Sequence, residues 1–126
     1  MPYGEKTKNE LLSYADKIMK FFINQNAKAV VMACNTTSSV IYGDIKNKYG
    51  VKIYPIVQSV TKILADMPLK RIGVFATPAT INSNVYKNEI NKYNQNIEVI
   101  QIACPEWVRI VEEQKFETCD KQIEEK

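Results

Sequence analysis

The sequence contains no histidine, and this absence removes several classes of function at once. Catalysis by a Cys-His or Ser-His pair within the chain is excluded, because the imidazole that would activate the nucleophile is missing. Three cysteines without any histidine also leave too few soft ligands for a zinc site. We therefore expect no bound metal.

Cysteine is scarce, and its spacing is not that of a disulfide-rich protein. The three cysteines are Cys34, Cys104 and Cys119, an odd number that contains no Cys-x-x-Cys pair. Such spacing does not predict a disulfide framework. Free cysteines are typical of proteins in a reducing compartment, so we expect a cytoplasmic protein.

Long apolar runs and strong charge are missing as well. No stretch approaches the ~18 apolar residues that span a bilayer, and Glu5, Lys6 and Lys8 interrupt the apolar core that a signal peptide requires. The net charge is only +3, and the lysines are scattered without interleaved aromatic residues. We therefore expect neither a membrane nor a nucleic acid as a partner.

Apolar patterns of strand and helix type alternate along the chain. Strands are predicted at about 27–33, 51–57, 71–76 and 97–103, and helices at about 8–26, 37–49, 59–67, 78–93 and 106–113, with the tail 115–126 as the start of a further helix. The first strand is short and β-branched, which is typical of a strand buried on both faces. The alternation predicts a parallel α/β sheet. We place a domain boundary after residue 60, so that residues 1–60 form part of a first domain and residues 61–126 most of a second.

Several predicted strands end in side chains that carry reactive or hydroxyl groups. Cys34 follows the first strand, and Thr77 and Thr80 follow the third. Ligands of parallel sheets collect at the carboxyl ends of the strands, so these residues are expected at one site. A thiol beside a helix N-terminus has a lowered pKa, which favours the reactive thiolate. Asn35 and Thr36 add groups that could hold a polar ligand against the sulfur.

Each of these residues also has a purely structural explanation. Cys34 could simply end a buried strand, since free cysteine is among the most buried residue types. Thr77 and Thr80 could serve only to cap the helix that Pro78 begins. Glu112 lies late in a short helix and could belong to a solvated face. Pattern and spacing alone leave these alternatives open.

Four segments together resemble the glutamate racemases, a branch of the aspartate/glutamate racemase superfamily. The segments are PYGEKT, ACNTTSS, IGVFATPATINSNVY and CPEWVRIVEE, in that order and at matching intervals. The resemblance implies a parallel-sheet, flavodoxin-like aspartate/glutamate racemase fold. It also implies interconversion of L- and D-glutamate for peptidoglycan synthesis without a cofactor. Two thiols would flank the α-carbon, one removing a proton while the other delivers one to the opposite face.

The resemblance also implies roles for individual residues. Cys34 would abstract the α-proton of D-glutamate, and Glu112 would be an acidic residue that assists the active site. The residues that would surround the carboxylates and the ammonium group of the substrate are Pro2, Tyr3, Gly4, Asn35, Thr36, Thr77 and Thr80. Hydroxyls, amides and helix N-termini suit a ligand with two negative charges.

The sequence departs from the family pattern at both ends. It contains neither the Asp-Ser-Gly segment that opens the family's first domain nor the second cysteine in its Gly-Cys-Thr-His context. We therefore expect a fragment with an incomplete first domain, an exposed apolar edge and face on its first strand, and no racemisation by this chain alone. The alternatives are a superfamily racemase for another small acid and a non-catalytic fragment that binds an acidic amino acid. The sequence leaves a homodimer open.

Overall fold

A computed structural model describes residues 3–113 of the chain. A 3-10 turn at Tyr3–Glu5 is followed by α1 (Lys8–Asn24), β1 (Ala29–Met32), α2 (Asn35–Val40), α3 (Tyr42–Ile45), β2 (Lys52–Pro55), α4 (Ile56–Ala65), β3 (Arg71–Ala76), α5 (Pro78–Asn82), α6 (Val85–Tyr93), β4 (Glu98–Ala103) and α7 (Pro105–Glu113). The expectations for Pro2, Cys119 and the tail 115–126 lie outside the described residues.

The strands form two parallel pairs. β1 pairs with β2, with Val30 opposite Ile53, and β3 pairs with β4, with Phe75 opposite Ile102. Helices connect the strands, so the predicted parallel α/β architecture is confirmed. The predicted boundary after residue 60 lies within the continuous helix α4, and the division into two domains stays a prediction.

Hydrogen bonds between Thr7 and Glu10 fix the start of α1. The Thr7 hydroxyl accepts a hydrogen bond from the Glu10 backbone N–H at 3.3 Å, and the Glu10 carboxylate accepts one from the Thr7 N–H at 2.8 Å. These reciprocal bonds satisfy two backbone donors that the first turn of a helix leaves unpaired. Thr7 and Glu10 stand at the spacing of a capping box, and both of its hydrogen bonds are present.

The prediction of one continuous helix over 37–49 is wrong. α2 begins earlier, at Asn35, and the chain leaves helical geometry at Ile41 before α3 begins. Ser38 donates its hydroxyl proton to the Met32 carbonyl at 2.9 Å. Hydroxyl side chains that bond to nearby carbonyls, followed by two β-branched residues, favour a short helix over a long one.

The predicted helix over 78–93 is also divided. Asn84 has φ +54° and separates α5 from α6. The Ser83 side-chain oxygen accepts a hydrogen bond from the Val85 backbone N–H at 3.3 Å. Asparagine is one of the few residues that adopt a left-handed conformation at low cost, so the break has a local cause.

The β1–β2 pair is buried on one face only, which corrects the prediction for the first strand. Val30 and Ile53 are buried with Leu11 of α1 in a core that α3 also lines. Their neighbours Val31 and Tyr54 are 67% and 43% exposed. Side chains of a strand alternate between its two faces, so an apolar run need not be buried throughout. The expected exposed apolar face is present.

Candidate active site

Three threonine hydroxyls meet where strands from the two pairs end. The Thr36 Oγ1 lies 3.1 Å from the Thr77 Oγ1, which lies 3.2 Å from the Thr80 Oγ1. Thr36 belongs to α2, after β1, whereas Thr77 and Thr80 follow β3. We call these three residues the hydroxyl cluster. The structure thus brings together three residues that the resemblance assigned to substrate binding.

The hydroxyl cluster is held by the start of α5. Thr77 caps this helix, its hydroxyl accepting the Thr80 backbone N–H at 3.4 Å, and Pro78 takes the first helical position. Thr36 and Thr80 are only 4% and 1% exposed, whereas Thr77 is partly exposed. A hydroxyl has one proton to donate and two lone pairs that accept, and the three contacts of the Thr77 hydroxyl use all of them, so a ligand would replace one of its bonds to Thr36 or Thr80.

Gly4 lies directly against the hydroxyl cluster. A Cβ atom at this position would come within 3.0 Å of both the Cβ and the Cγ2 of Thr77. The close approach explains why glycine suits this position. The preceding residue, Tyr3, stacks edge-on against Tyr14 of α1, with ring centroids 6.2 Å apart. The 3-10 turn therefore joins α1 to the cluster.

Cys34 lies immediately before α2 and is exposed. Its backbone carbonyl accepts the Thr37 hydroxyl proton at 3.1 Å, which fixes the first turn of the helix. Together with Tyr3, Cys34 lines a cavity of about 220 Å³ whose other walls are mostly apolar, Phe22 and Val31 among them. Because Cys34 is exposed, burial at the end of a strand does not explain it.

Asn35 has a partner that the sequence did not reveal. The Tyr86 hydroxyl donates a hydrogen bond to the Asn35 Oδ1 at 2.8 Å, across 51 positions of sequence. Partial burial raises the pKa of Tyr86. Tyr86 lies in one of the segments that resemble the racemases, but its contact depends on the turn at Asn84, which periodicity alone does not predict.

Glu112 lies apart from the hydroxyl cluster but shares a groove with one of its members. The groove has a volume of about 300 Å³ and is also lined by Thr77, Phe75 and Trp107. The rings of Phe75 and Trp107 pack at a centroid distance of 5.3 Å. The groove therefore has an apolar wall beside one exposed carboxyl group.

The other described cysteine is also free but differs from Cys34 in its burial. Cys104 is buried, and its thiol lies 3.8 Å from the Ile102 carbonyl oxygen. Within residues 3–113, no group of three His, Cys, Asp or Glu side chains could hold a metal ion. None of the helices described over the same residues is long and apolar enough to cross a membrane.

Comparison with known proteins identifies the family. The family model described as Asp/Glu/Hydantoin racemase matches residues 4–125. The chain belongs to this family. It is 38% identical to the glutamate racemase of Carboxydothermus hydrogenoformans over 99% of this chain and 46% of that protein, and 35% identical to that of Thermoanaerobacter sp. over 100% of this chain and 50% of that protein. This racemase-family chain thus spans about half the length of the curated relatives it matches.

Solved structures agree with this assignment. The glutamate racemase of Francisella tularensis, solved in complex with D-glutamate, is 34% identical with a TM-score of 0.79, covering 90% of this chain and 42% of its own. The Bacillus anthracis glutamate racemase RacE1 is 24% identical with a TM-score of 0.87, covering 98% and 48%. The predicted aspartate/glutamate racemase fold is confirmed.

Proposed function

We propose that this chain supplies one half of a glutamate racemase active site, in which the Cys34 thiolate removes the α-proton of D-glutamate. The observation that carries the proposal is the hydroxyl cluster, whose members follow β1 and β3 and lie beside the strand end that presents Cys34. Membership of the racemase family and the similarity to an enzyme solved with D-glutamate support glutamate as the substrate.

The proposed substrate-binding groups are the donors around this strand end. Hydroxyl and amide groups of Asn35, Thr36, Thr77 and Thr80 would hold the carboxylates, because hydrogen bonds to a charged acceptor are stronger than those between neutral groups. Pro2, Tyr3 and Gly4 would close the site, in keeping with a backbone at Gly4 that leaves no room for a side chain beside Thr77. The mostly apolar cavity beside Cys34 does not suit a doubly charged ligand, so we assign the carboxylates to the hydroxyl cluster.

The proposed chemistry is a proton transfer between carbon and sulfur. The thiolate takes the α-proton, the electron pair of the C–H bond stays on the α-carbon, and a proton that the thiol has exchanged with water can return to the same face. Inversion needs a second acid on the opposite face, and the sequence contains no Cys-Thr-His segment to supply it. Glu112 would assist from the groove that Thr77 also lines.

We also propose the cellular setting that the resemblance implies. The product, D-glutamate, would serve peptidoglycan synthesis in the cytoplasm, where the thiols of Cys34 and Cys104 would stay reduced. Both are free cysteines in the structure. Pairing of two copies into a homodimer is part of the proposal, supported by the exposed apolar side chains Val31 and Tyr54.

The decisive experiment is exchange of the α-proton of D-glutamate and of L-glutamate in D₂O, followed by proton NMR. We expect loss of the α-proton signal of D-glutamate without inversion. Cys34→Ser should abolish this exchange, since a serine hydroxyl is far less acidic than a thiol. Cys104→Ala is the matched control, because it removes a buried thiol that lines the same groove as Glu112 but has no role in the proposed reaction.

Three outcomes would contradict the proposal in different ways. Exchange that persists in Cys34→Ser would remove Cys34 from the reaction. Binding of D-glutamate by calorimetry without any exchange would favour the alternative of a non-catalytic binding fragment. Exchange with a different small acid, but not with glutamate, would favour another racemase of the superfamily.

A further inference from the structure

We infer that Tyr86 is a positioning residue, whose hydroxyl fixes the side-chain amide of Asn35 so that the NH₂ group faces a carboxylate of the ligand. The inference rests on the proposed function and adds a residue to its site. The Tyr86 hydroxyl donates a hydrogen bond of 2.8 Å to the Asn35 Oδ1.

The contact matters because an asparagine amide has two unlike ends. One end is a carbonyl oxygen that only accepts, and the other is an NH₂ group that only donates. Tyr86 occupies the accepting end of Asn35, and no partner of the Nδ2 is found among residues 3–113. The end left for a ligand is therefore the donor, which a carboxylate requires.

The opposite orientation of the amide would repel the ligand. If the Asn35 side chain turned over, its NH₂ group would donate to the Tyr86 oxygen and its carbonyl oxygen would face the carboxylate. Two acceptors cannot share a hydrogen bond, so this orientation loses a contact with the ligand. A fixed donor also lowers the entropy that binding must overcome, because the side chain is ordered before the ligand arrives.

The surroundings of the two residues suit this arrangement. Asn35 is exposed and follows Cys34 directly, whereas Tyr86 is partly buried at the start of α6. The left-handed turn at Asn84 sets the direction of α6 just before Tyr86. Burial raises the pKa of the Tyr86 phenol, so the group keeps the proton that it donates.

The test uses the full chain with Tyr86→Phe, which removes only the hydroxyl. Tyr93→Phe is the matched control, because Tyr93 is an exposed tyrosine at the end of the same helix. In the ligand-free chain, the Asn35 side-chain amide resonances, assigned by their loss in Asn35→Ala, should move in Tyr86→Phe and stay in place in Tyr93→Phe. Unmoved Asn35 resonances would overturn the inference.

A double-mutant cycle then asks whether Tyr86 acts through Asn35. Calorimetry should show D-glutamate binding about two- to tenfold more weakly in Tyr86→Phe, the effect of losing one hydrogen bond. In the Asn35→Ala background, the same change should have no further effect. An equal loss in both backgrounds would overturn the inference, because a packing defect would act without Asn35. No binding of D-glutamate to the wild-type chain would instead overturn the proposed function, and with it the role of this amide toward a carboxylate.

Discussion

The side-chain oxygens of Thr36 and Thr77 lie 3.1 Å apart, although 41 positions of sequence separate them. One residue follows β1 and the other follows β3, which belong to different strand pairs. The hydrogen bond therefore joins the two halves of the described chain at the point where we propose that the substrate binds. Substitutions of Thr36 or Thr77 should therefore change both the free energy of unfolding and the affinity for the ligand.

Thr77 should be the most sensitive member of the hydroxyl cluster. Thr77→Val keeps the shape of the side chain but removes the cap of α5 and the partner of two buried hydroxyls. We expect a loss of about 1–2 kcal/mol in the free energy of unfolding, measured by urea denaturation. Thr77→Ser keeps the oxygen and should retain most of the stability. A loss in Thr77→Ser without a loss in Thr77→Val would show that the methyl group, not the hydroxyl, is what matters.

Two glycines should respond to alanine with opposite signs. Gly4→Ala places a Cβ 3.0 Å from Thr77, so Thr77 or the 3-10 turn must move by a few tenths of an ångström, and we expect a cost of about 1–3 kcal/mol. Gly43→Ala is the matched control, because a Cβ there meets nothing within 4 Å and the residue lies in α3. It should stabilise the chain by up to about 1 kcal/mol. Thermal unfolding of both variants measures the difference, and a neutral Gly4→Ala would contradict the close approach.

Acid should weaken the contact between α1 and the segment after α3. The pKa of Asp16 is lowered to about 2 by hydrogen bonds from Lys20, Tyr49 and Lys48, in that order of importance. A carboxyl group whose pKa is lower in the folded chain stabilises it above its unfolded value, near 3.8, and this contribution is lost as the pH falls through about 2.

Asp16→Asn should therefore be less stable than the wild type at pH 5, and the difference should shrink between pH 4 and pH 2. Urea denaturation of both proteins across this range gives the measurement. A difference that is the same at every pH would mean that the ionised carboxylate of Asp16 contributes nothing.

Neighbouring valines of β1 should differ sharply in their tolerance of a polar side chain. Val31→Thr changes an exposed residue and should alter the free energy of unfolding by less than about 0.5 kcal/mol. Val30→Thr buries a hydroxyl in the core and should lower the free energy of unfolding by about 1–3 kcal/mol.

Sedimentation velocity of Val31→Thr also tests the proposed pairing of two copies. Unchanged self-association would argue against this face as the contact.

The sequence predicts local features of this fold better than it predicts distant contacts. The capping box at Thr7, the bounds of β3 and the cap at Thr77 follow from neighbouring residues, and all are present. The breaks at Ile41 and Asn84 were missed, because apolar periodicity continues through them. The hydrogen bond between Tyr86 and Asn35 depends on the break at Asn84, so no pattern of neighbouring residues predicts it.

The roles of the site residues follow from the resemblance to the racemases more than from physical patterns in the sequence. Strand ends predicted that Thr36 and Thr77 would lie near one another, and they do. Spacing could not tell a helix cap from a ligand-binding group, because one hydroxyl can serve as both. The roles of Cys34 and Glu112 stay predictions, since they depend on a bound substrate and not on the fold alone.

Ligand binding at the hydroxyl cluster would also raise the free energy of unfolding. In the proposed site, a ligand held by Thr36 on one side and Thr77 on the other would bridge the two strand pairs, so the unfolded chain would not bind it. By mass action, each tenfold rise in free ligand above its dissociation constant then adds about 1.4 kcal/mol to the free energy of unfolding. For a chain of this size, the amino acid would act as a structural element as well as a reactant.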